Sequence, residues 1–168
     1  MNIQIKPVTE EPDISIIANL AKIIWNDHYV SIIGQDQVNY MLAKYQTCKA
    51  IKAQISQEGN EYFLLRDDGK PIGYIGIIHR HSELFLSKFY ILGEERGKGI
   101  GHIGLDFLVA KCKAYGSDFI TLTVNKNNLD SINAYEKMGF EKYGEVVSDI
   151  GGGYVMDDYL MRLRMNPR

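Results

Sequence analysis

The sequence predicts a mixed α/β fold in which two amphipathic helices stand ahead of most of the strands. Three observations indicate this class. Apolar residues recur at helical spacing in residues 14–29 and 35–54, β-rich segments follow from residue 61, and a glycine-rich loop separates a strand from a helix. The 168 residues are enough for one hydrophobic core, so we expect a single domain spanning residues 1–168.

Helical and alternating patterns assign the elements in order along the chain. Pro7 favours a sheet edge for the first strand because proline has no N–H to donate. The turn formers of residues 67–71 predict a hairpin between the second and third strands. Gly139 is the expected C-cap of the last helix. The predicted helices are residues 14–29, 35–54, 100–115 and 129–138, and the predicted strands are residues 2–8, 61–66, 72–79, 83–92 and 118–125, with two more around 151–153.

The composition excludes several classes of protein. Hydrophobic residues make up 45% and charged residues 24% of the chain, which is typical of a folded globular protein. A net charge of −2 gives no electrostatic footprint for nucleic acid. There is no signal core and no run of about 18 apolar residues, so neither export nor a membrane partner is expected. Cys48 and Cys112 lack metal-ligand spacing, which favours a cytoplasmic protein without a metal site.

A glycine loop at the start of a predicted helix is the main candidate for ligand binding. The N-terminus of a helix carries unpaired backbone N–H groups and partial positive charge, and glycines let a phosphate approach them closely. Two cationic side chains on the loop suit a pyrophosphate better than a single carboxylate. The loop consists of Arg96, Gly97, Lys98, Gly99, Ile100 and Gly101.

Two other phosphate-binding motifs fit this loop less well. A Walker A motif needs four residues between its first glycine and its Gly-Lys pair, and a hydroxyl after the lysine. Gly93 is one residue too close to Gly97, and Gly99 takes the place of the hydroxyl. Residues 99–104 match the dinucleotide pattern GxGxxG, but the next strand ends at Asn125 instead of an acidic residue that could hold the ribose. The loop therefore favours neither a Walker A site nor a nicotinamide or flavin site.

Two motifs together resemble a known family. Arg96-x-x-Gly99-x-Gly101 follows a strand, and residues 128–140 contain an Asn followed by a helix that ends Tyr-Glu-Lys-x-Gly-Phe. In type, order and separation they resemble the GNAT-type N-acetyltransferase superfamily, over nearly the whole chain. The resemblance implies a mixed, mostly antiparallel sheet of about seven strands with helices on both faces. It also implies a splayed pair of strands that binds CoA.

The resemblance implies that acetyl-CoA is the co-substrate and that its acetyl group passes to a primary amine. Backbone groups of the strand before the loop would pair with the pantetheine arm and hold the thioester carbonyl. Tyr135 matches the tyrosine that protonates the departing thiolate. Asn128 matches a contact to the pantetheine arm, and it equally fits a helix N-cap. The cofactor-binding residues implied besides the glycine loop are Phe89, Tyr90, Ile91, Asn128, Tyr135 and Lys137.

The base that deprotonates the amine cannot be carried over from the family. Phe85 stands where some members have a catalytic glutamate. Glu83 shares the strand face of Phe85 by the two-residue period and is the first candidate, while His81 is the second. A chain of water molecules is a further alternative.

Two segments would border the acceptor cleft in this fold, and both combine acidic and aromatic residues. Trp25, Tyr29 and Asp157 are the predicted acceptor-binding residues, because carboxylates and aromatic faces suit a cationic amine. A core stripe and a solvated turn would have the same composition. These segments also resemble the branch that includes bacterial polyamine acetyltransferases. The alternatives are a protein N-terminal or lysine acetyltransferase, and an acetyl-CoA-binding sensor without catalysis; an exposed edge strand is compatible with a homodimer.

Overall fold

The computed structural model describes residues 1–165, which contain seven strands and six helices. The strands are β1 (Ile3–Pro7), β2 (Asn60–Asp67), β3 (Lys70–Arg80), β4 (Glu83–Ile91), β5 (Phe119–Asn125), β6 (Glu141–Gly151) and β7 (Tyr154–Arg164). The helices are α1 (Glu11–His28), α2 (Val30–Ile33), α3 (Gln35–Tyr45), α4 (Cys48–Gln57), α5 (Ile100–Ala114) and α6 (Leu129–Lys137). No helix among them is long and apolar enough to cross a bilayer.

The first compact unit comprises residues 1–78 and 88–100. It contains β1, β2, most of β3, the last part of β4 and the first four helices. Helix α1 begins three residues before the predicted start, because Pro12 is tolerated in a first helical turn where the N–H has no partner in the helix. Ile17 and Ala21, one turn apart on α1, are fully buried. The apolar stripe that predicted this helix is therefore its core face.

The second compact unit comprises residues 79–87 and the chain from Gly101 onward. It contains the end of β3, the first part of β4, the last three strands, α6 and α5 from its second residue. Strands β6 and β7 form an antiparallel hairpin around Gly152 and Gly153, both with positive φ. The two strands predicted around residues 151–153 are confirmed.

One sheet contains the strands in the order β1-β2-β3-β4-β5-β7-β6. Pairing is antiparallel between β1 and β2, β2 and β3, β5 and β7, and β6 and β7, and it is parallel between β4 and β5. The prediction of a mixed, mostly antiparallel sheet is confirmed, and so is the edge position of β1, which ends at Pro7. The single-domain organisation stays a prediction.

The predicted helix 35–54 is wrong as one continuous element, since it is two helices, α3 and α4. Thr47 separates them with an extended backbone, φ −81° and ψ 160°, and its Oγ accepts the N–H of Ala50 at 3.1 Å. This is an N-cap, which starts a new helix. The apolar periodicity continues across the break and hides it. The one-turn helix α2 was also missed.

The hairpin between β2 and β3 turns more tightly than predicted. Only Asp68 and Gly69 form the turn, with φ of 48° and 86°, and Lys70 and Pro71 already belong to β3. Positive φ at both central residues is the type I′ geometry, which matches the twist of antiparallel strands. The hairpin itself is confirmed.

Candidate functional site

The glycine loop owes two of its three glycines to backbone conformation. Gly97 and Gly99 have φ of 78° and 84°, a region that other residues rarely adopt. A Cβ added at either would meet no atom of residues 1–165 within 4 Å. Gly101 differs, since a Cβ there would lie 3.1 Å from Cε of Met138. The loop is thus curved and uncrowded just ahead of α5, as a phosphate-binding loop requires.

An ion pair reduces the positive charge that the loop presents. Nζ of Lys98 lies 2.8 Å from Oε2 of Glu95, whose side chain is buried. The hydrogen bond from Lys98 and the charge of Lys98 lower the pKa of Glu95, so this carboxyl stays ionised. Arg96 is exposed. Arg96 is therefore the more available cation of the loop, while the binding of a pyrophosphate by Arg96 and Lys98 stays a prediction.

Strand β4 pairs with β5 over only part of its length. The parallel ladder runs from Glu83 with Phe119 to Phe85 with Thr121 in the described part of the chain, whereas β4 continues to Ile91. The later part of β4, which contains Phe89 and Tyr90, therefore lies outside this ladder. An added strand such as a pantetheine arm needs an edge of this kind.

The other side of β4 is closely packed by β3. A Cβ at Gly73 would come within 2.3 Å of the carbonyl oxygen of Tyr90. The N–H of Leu92 donates to the carbonyl oxygen of Ile72 at 2.9 Å. Only glycine fits at residue 73, so the backbone of β4 is held firmly on this side.

The first predicted acceptor-binding segment divides between core and surface. Trp25 is 4% exposed, and its Nε1 donates to the hydroxyl of Tyr74 at 3.2 Å. Tyr29 is half-buried, and its hydroxyl lies 3.2 Å from that of Tyr90. The environment of Trp25 is that of a core residue, and Tyr29 is the more accessible of the pair.

Trp25 is hydrogen-bonded to a buried chain of polar side chains that the sequence analysis does not predict. The hydroxyl of Tyr74 donates to Oε1 of Gln46 at 2.7 Å, and Nε2 of Gln46 donates to the hydroxyl of Tyr62 at 3.4 Å. Burial raises the pKa of both phenols, which keeps them neutral. Nζ of Lys88 lies 5.5 Å from the ring centre of Tyr62, and burial lowers the pKa of Lys88 to about 8, against a smaller opposite effect of Glu58.

The second predicted motif lies on and around α6. Asn128 is 2% exposed, and its Oδ1 accepts the N–H of Ser131 at 3.4 Å, so it is the N-cap of α6. Tyr135 is half-buried, with its ring 5.4 Å from that of Phe140 in an edge-on contact. Lys137 ends the helix and is exposed. The cap is established, while the CoA contacts of these residues stay predictions.

The two candidate bases lie at the start of β4. Glu83 is half-buried and is the first residue of the ladder with β5. Burial, followed by the charge of Glu83, raises the pKa of Tyr143. His81 is exposed in the turn before β4, with φ of 46°, and the nearby His79 stacks on Tyr115 at 4.6 Å. The assignment of Glu83 as base stays a prediction.

Two adjacent carboxylates of β7 have different environments. The side chain of Asp157 is 52% exposed, and its Oδ1 lies 2.8 Å from Nζ of Lys126. Asp158 is 3% exposed, and its Oδ1 has no hydrogen-bond partner among residues 1–165. Burial and then the charge of Asp157 raise the pKa of Asp158 to about 6, against a smaller effect of Lys126. The sequence analysis proposes a role for Asp157 only. Because successive side chains of a strand point to opposite faces, Asp158 lies on the other face of β7 from Asp157.

The comparison with protein families confirms the predicted resemblance to the GNAT-type N-acetyltransferases. The profile of the acetyltransferase (GNAT) family matches residues 20–140. "Uncharacterized N-acetyltransferase YdgE" of Bacillus subtilis (strain 168) is 28% identical over 87 residues, which are 48% of this chain and 55% of that protein. The match thus spans about half the length of this curated relative.

Solved structures share the fold. The structure of PaiA N-acetyltransferase from Thermoplasma acidophilum in complex with coenzyme A has a TM-score of 0.79 at 20% identity, covering 98% of this chain and 100% of that one. Spermidine N-acetyltransferase from Vibrio cholerae in complex with CoA and spermine has a TM-score of 0.70 at 19% identity, covering 96% and 95%. The predicted fold class is confirmed. Because the family profile spans most of the sequence, the chain belongs to the GNAT family of acetyltransferases.

Proposed function

We propose that this protein transfers the acetyl group of acetyl-CoA to a primary amine, and that the amine belongs to a small cationic molecule such as a polyamine. The observation that carries the proposal is the glycine loop ahead of α5 in a chain of the GNAT family. Gly97 and Gly99 hold it in a conformation reserved for glycine, with open space beside them in the described residues. Backbone N–H groups at such a helix start bind phosphate oxygens.

The residues present fit acetyl-CoA. The loop from Arg96 to Gly101 would hold the pyrophosphate, with Arg96 contributing the more available cation. The part of β4 from Phe89 to Ile91 would pair with the pantetheine arm, since it lies beyond the ladder with β5. PaiA N-acetyltransferase, which shares the fold, has been crystallised with coenzyme A.

With acetyl-CoA bound in this proposed position, the chain's own residues would supply the following chemistry. Backbone N–H groups of β4 would stabilise the negative charge that develops on the thioester carbonyl oxygen, an effect often worth about 3 kcal/mol. Tyr135 would donate its phenolic proton to the departing sulfur, because an unperturbed phenol and a thiol have pKa values of similar size. Acetyl-CoA supplies the activated acetyl group.

The acceptor is proposed from charge and from relatives. Each predicted acceptor-binding residue suits a cation by itself: Tyr29 has a half-buried aromatic ring, and Asp157 has an exposed carboxylate. The spermidine N-acetyltransferase of Vibrio cholerae, with the same fold, has been crystallised with spermine. A protein amine and a sensor without turnover remain the alternatives. The cytoplasmic location and the homodimer stay predictions.

The release of free thiol from acetyl-CoA tests this proposal. Purified protein is assayed with polyamines, amino acids, aminoglycosides and N-terminal peptides, and we expect turnover to be highest with a polyamine. Highest turnover with an N-terminal peptide would instead favour a protein acetyltransferase. Absence of turnover on the whole panel, with acetyl-CoA binding seen by calorimetry, would favour the sensor.

A variant of the loop provides the control for the cofactor. Gly99→Glu places a bulky carboxylate where the pyrophosphate is expected, so CoA affinity and turnover should both be lost. Gly69→Glu is the matched control, because it adds the same side chain at a φ of 86° with no described atom within 4 Å, in a turn that the proposal does not use. Retained CoA affinity in Gly99→Glu would contradict the loop assignment.

A further inference from the structure

We propose that Asp158 is the base that takes a proton from the acceptor's ammonium group, directly or through one water molecule. The inference deepens the proposed function and rests on it. The alternative base is Glu83, which the sequence pattern favours.

The unsatisfied carboxylate of Asp158 is the first argument. The residue is 3% exposed and its Oδ1 has no hydrogen-bond partner in residues 1–165. Nearly all buried polar atoms in proteins are hydrogen-bonded, and an exception calls for a water or a ligand. A carboxylate accepts hydrogen bonds and donates none, so the missing partner is a donor such as an ammonium group or water.

The surrounding charges are the second argument. Nζ of Lys126 lies 2.8 Å from Oδ1 of Asp157 and 3.2 Å from Oε1 of Glu145, so the lysine whose charge acts on Asp158 already binds two other carboxylates. Asp158 lies on the opposite face of β7 from Asp157, yet the charges of Asp157 and Lys126 both act on it. Together with Glu145, this group of three carboxylates and one lysine has more negative than positive charge. This group therefore attracts a cation, which a protonated amine supplies.

The position of Asp158 in the sheet is the third argument. Asp158 on β7 pairs with Asn125, the last residue of β5. From this strand end the chain continues through Asn128, the N-cap of α6, to Tyr135, the proposed acid. Ligands of α/β proteins bind at the carboxyl ends of parallel strands, and β5 is parallel to β4. Asp158 thus pairs with the carboxyl end of β5, where ligand binding is expected.

The protons balance in this assignment. Asp158 takes one proton from the ammonium group and leaves a neutral amine, whose nitrogen attacks the thioester carbon. The C–N bond forms and the C–S bond breaks, and the sulfur takes a proton from Tyr135. The nitrogen releases its second proton, which restores Tyr135, and Asp158 passes the first proton to solvent. A pKa near 6 leaves Asp158 mostly ionised at pH 7, as a base must be.

Three variants of the full chain test the inference with the amine that the wild type uses. Asp158→Asn keeps the shape and removes the base, Asp157→Asn changes the adjacent exposed carboxylate, and Glu83→Gln removes the other candidate. We expect kcat to fall about 100-fold or more in Asp158→Asn, the size of a general-base effect, and much less in Glu83→Gln. Asp157→Asn changes a proposed acceptor-binding residue, so it should raise KM for the amine and leave kcat close to that of the wild type. Calorimetric affinity for CoA should not change in any of the three. The acidic limb of the pH profile of kcat/KM should persist in Asp157→Asn and disappear in Asp158→Asn.

The results separate failure of the inference from failure of the proposed function. A wild type that binds acetyl-CoA and acetylates no amine contradicts the proposed function. An active wild type with an equally active Asp158→Asn overturns the inference alone, and loss of activity in Glu83→Gln instead assigns the base to Glu83. If Asp158→Asn folds poorly, Asp158→Glu decides: the inference requires activity above that of the Asn variant, and equal loss in both overturns it.

Discussion

Asp157 and Asp158 are adjacent on β7, yet Asp157 is exposed and bound to Lys126 while Asp158 is buried with Oδ1 unpaired among the residues described. Leaving a buried carboxylate unpaired costs folding free energy. Proteins retain such costly groups at functional sites, where stability and activity oppose each other. The difference in burial and pairing therefore favours Asp158 over Asp157 as the proposed base.

The first prediction concerns stability against pH. Burial raises the pKa of Asp158 from 3.8 to about 6 in the folded state, so between these values the folded chain holds a proton that the unfolded chain has lost. The free energy of unfolding must then fall as pH rises through this window. Relative to Asp158→Asn, the wild type should lose up to about 3 kcal/mol between pH 4 and 6, at about 1.36 kcal/mol per pKa unit.

Urea denaturation of both proteins across this pH range measures the difference. Asp157→Asn is the matched control and should keep most of the wild-type pH dependence, because burial, the larger cause of the raised pKa of Asp158, is unchanged. A constant difference between wild type and Asp158→Asn would mean that Asp158 has an ordinary pKa.

The second prediction concerns Lys88. Burial lowers its pKa from 10.5 to about 8, so between these values the unfolded chain holds the proton and the free energy of unfolding rises with pH. Lys88→Met should be more stable than the wild type at pH 7, by about 1 to 3 kcal/mol, and the gain should shrink above pH 8. Thermal denaturation at pH 7 and 9 measures this, with Lys88→Arg as the charged control. A less stable Lys88→Met would show that the ammonium has a stabilising partner.

The third prediction separates the glycines of the loop. Gly99→Ala forces alanine into a φ of 84° and should cost about 1 kcal/mol. Gly101→Ala meets only the flexible end of Met138 among the described residues and gains helix propensity, so stability should be kept or raised. Denaturant midpoints measure both. Equal losses of stability in Gly99→Ala and Gly101→Ala would contradict this account, because backbone conformation would then not explain the glycine at residue 99.

The fourth prediction concerns Tyr135. Tyr135→Phe keeps the edge-on contact with Phe140 and removes the phenolic proton, so stability should hold while kcat falls about 100-fold. The matched control is Tyr143→Phe, which removes a hydroxyl from an exposed tyrosine of β6. Steady-state kinetics over a full pH profile provides the measurement. Unchanged kcat in Tyr135→Phe at every pH would exclude Tyr135 as the acid.

The fold was predictable wherever its signal extends over many residues. Apolar spacing located α1 because a whole helix face is buried, and the order of strand, glycine loop and helix located α5. The break at Thr47 depends on one side chain bonding one N–H, and the turn at Asp68 on two φ angles. Such local events leave the periodicity unchanged, so pattern analysis missed the break and extended the turn too far.

The site was predictable where it depends on backbone and motif, and less so where it depends on burial. The glycine loop combines strand, glycines and helix in consecutive residues. Burial instead depends on packing by residues distant in sequence, as with Trp25, and no local pattern distinguishes Asp158 from Asp157.

Mass spectrometry of spermidine incubated with acetyl-CoA and the purified chain tests the central claim most directly. The account predicts a monoacetylated amine that requires the protein and is absent with Gly99→Glu. Unmodified spermidine and unmodified amines of every other class, in the presence of demonstrated acetyl-CoA binding, would contradict it.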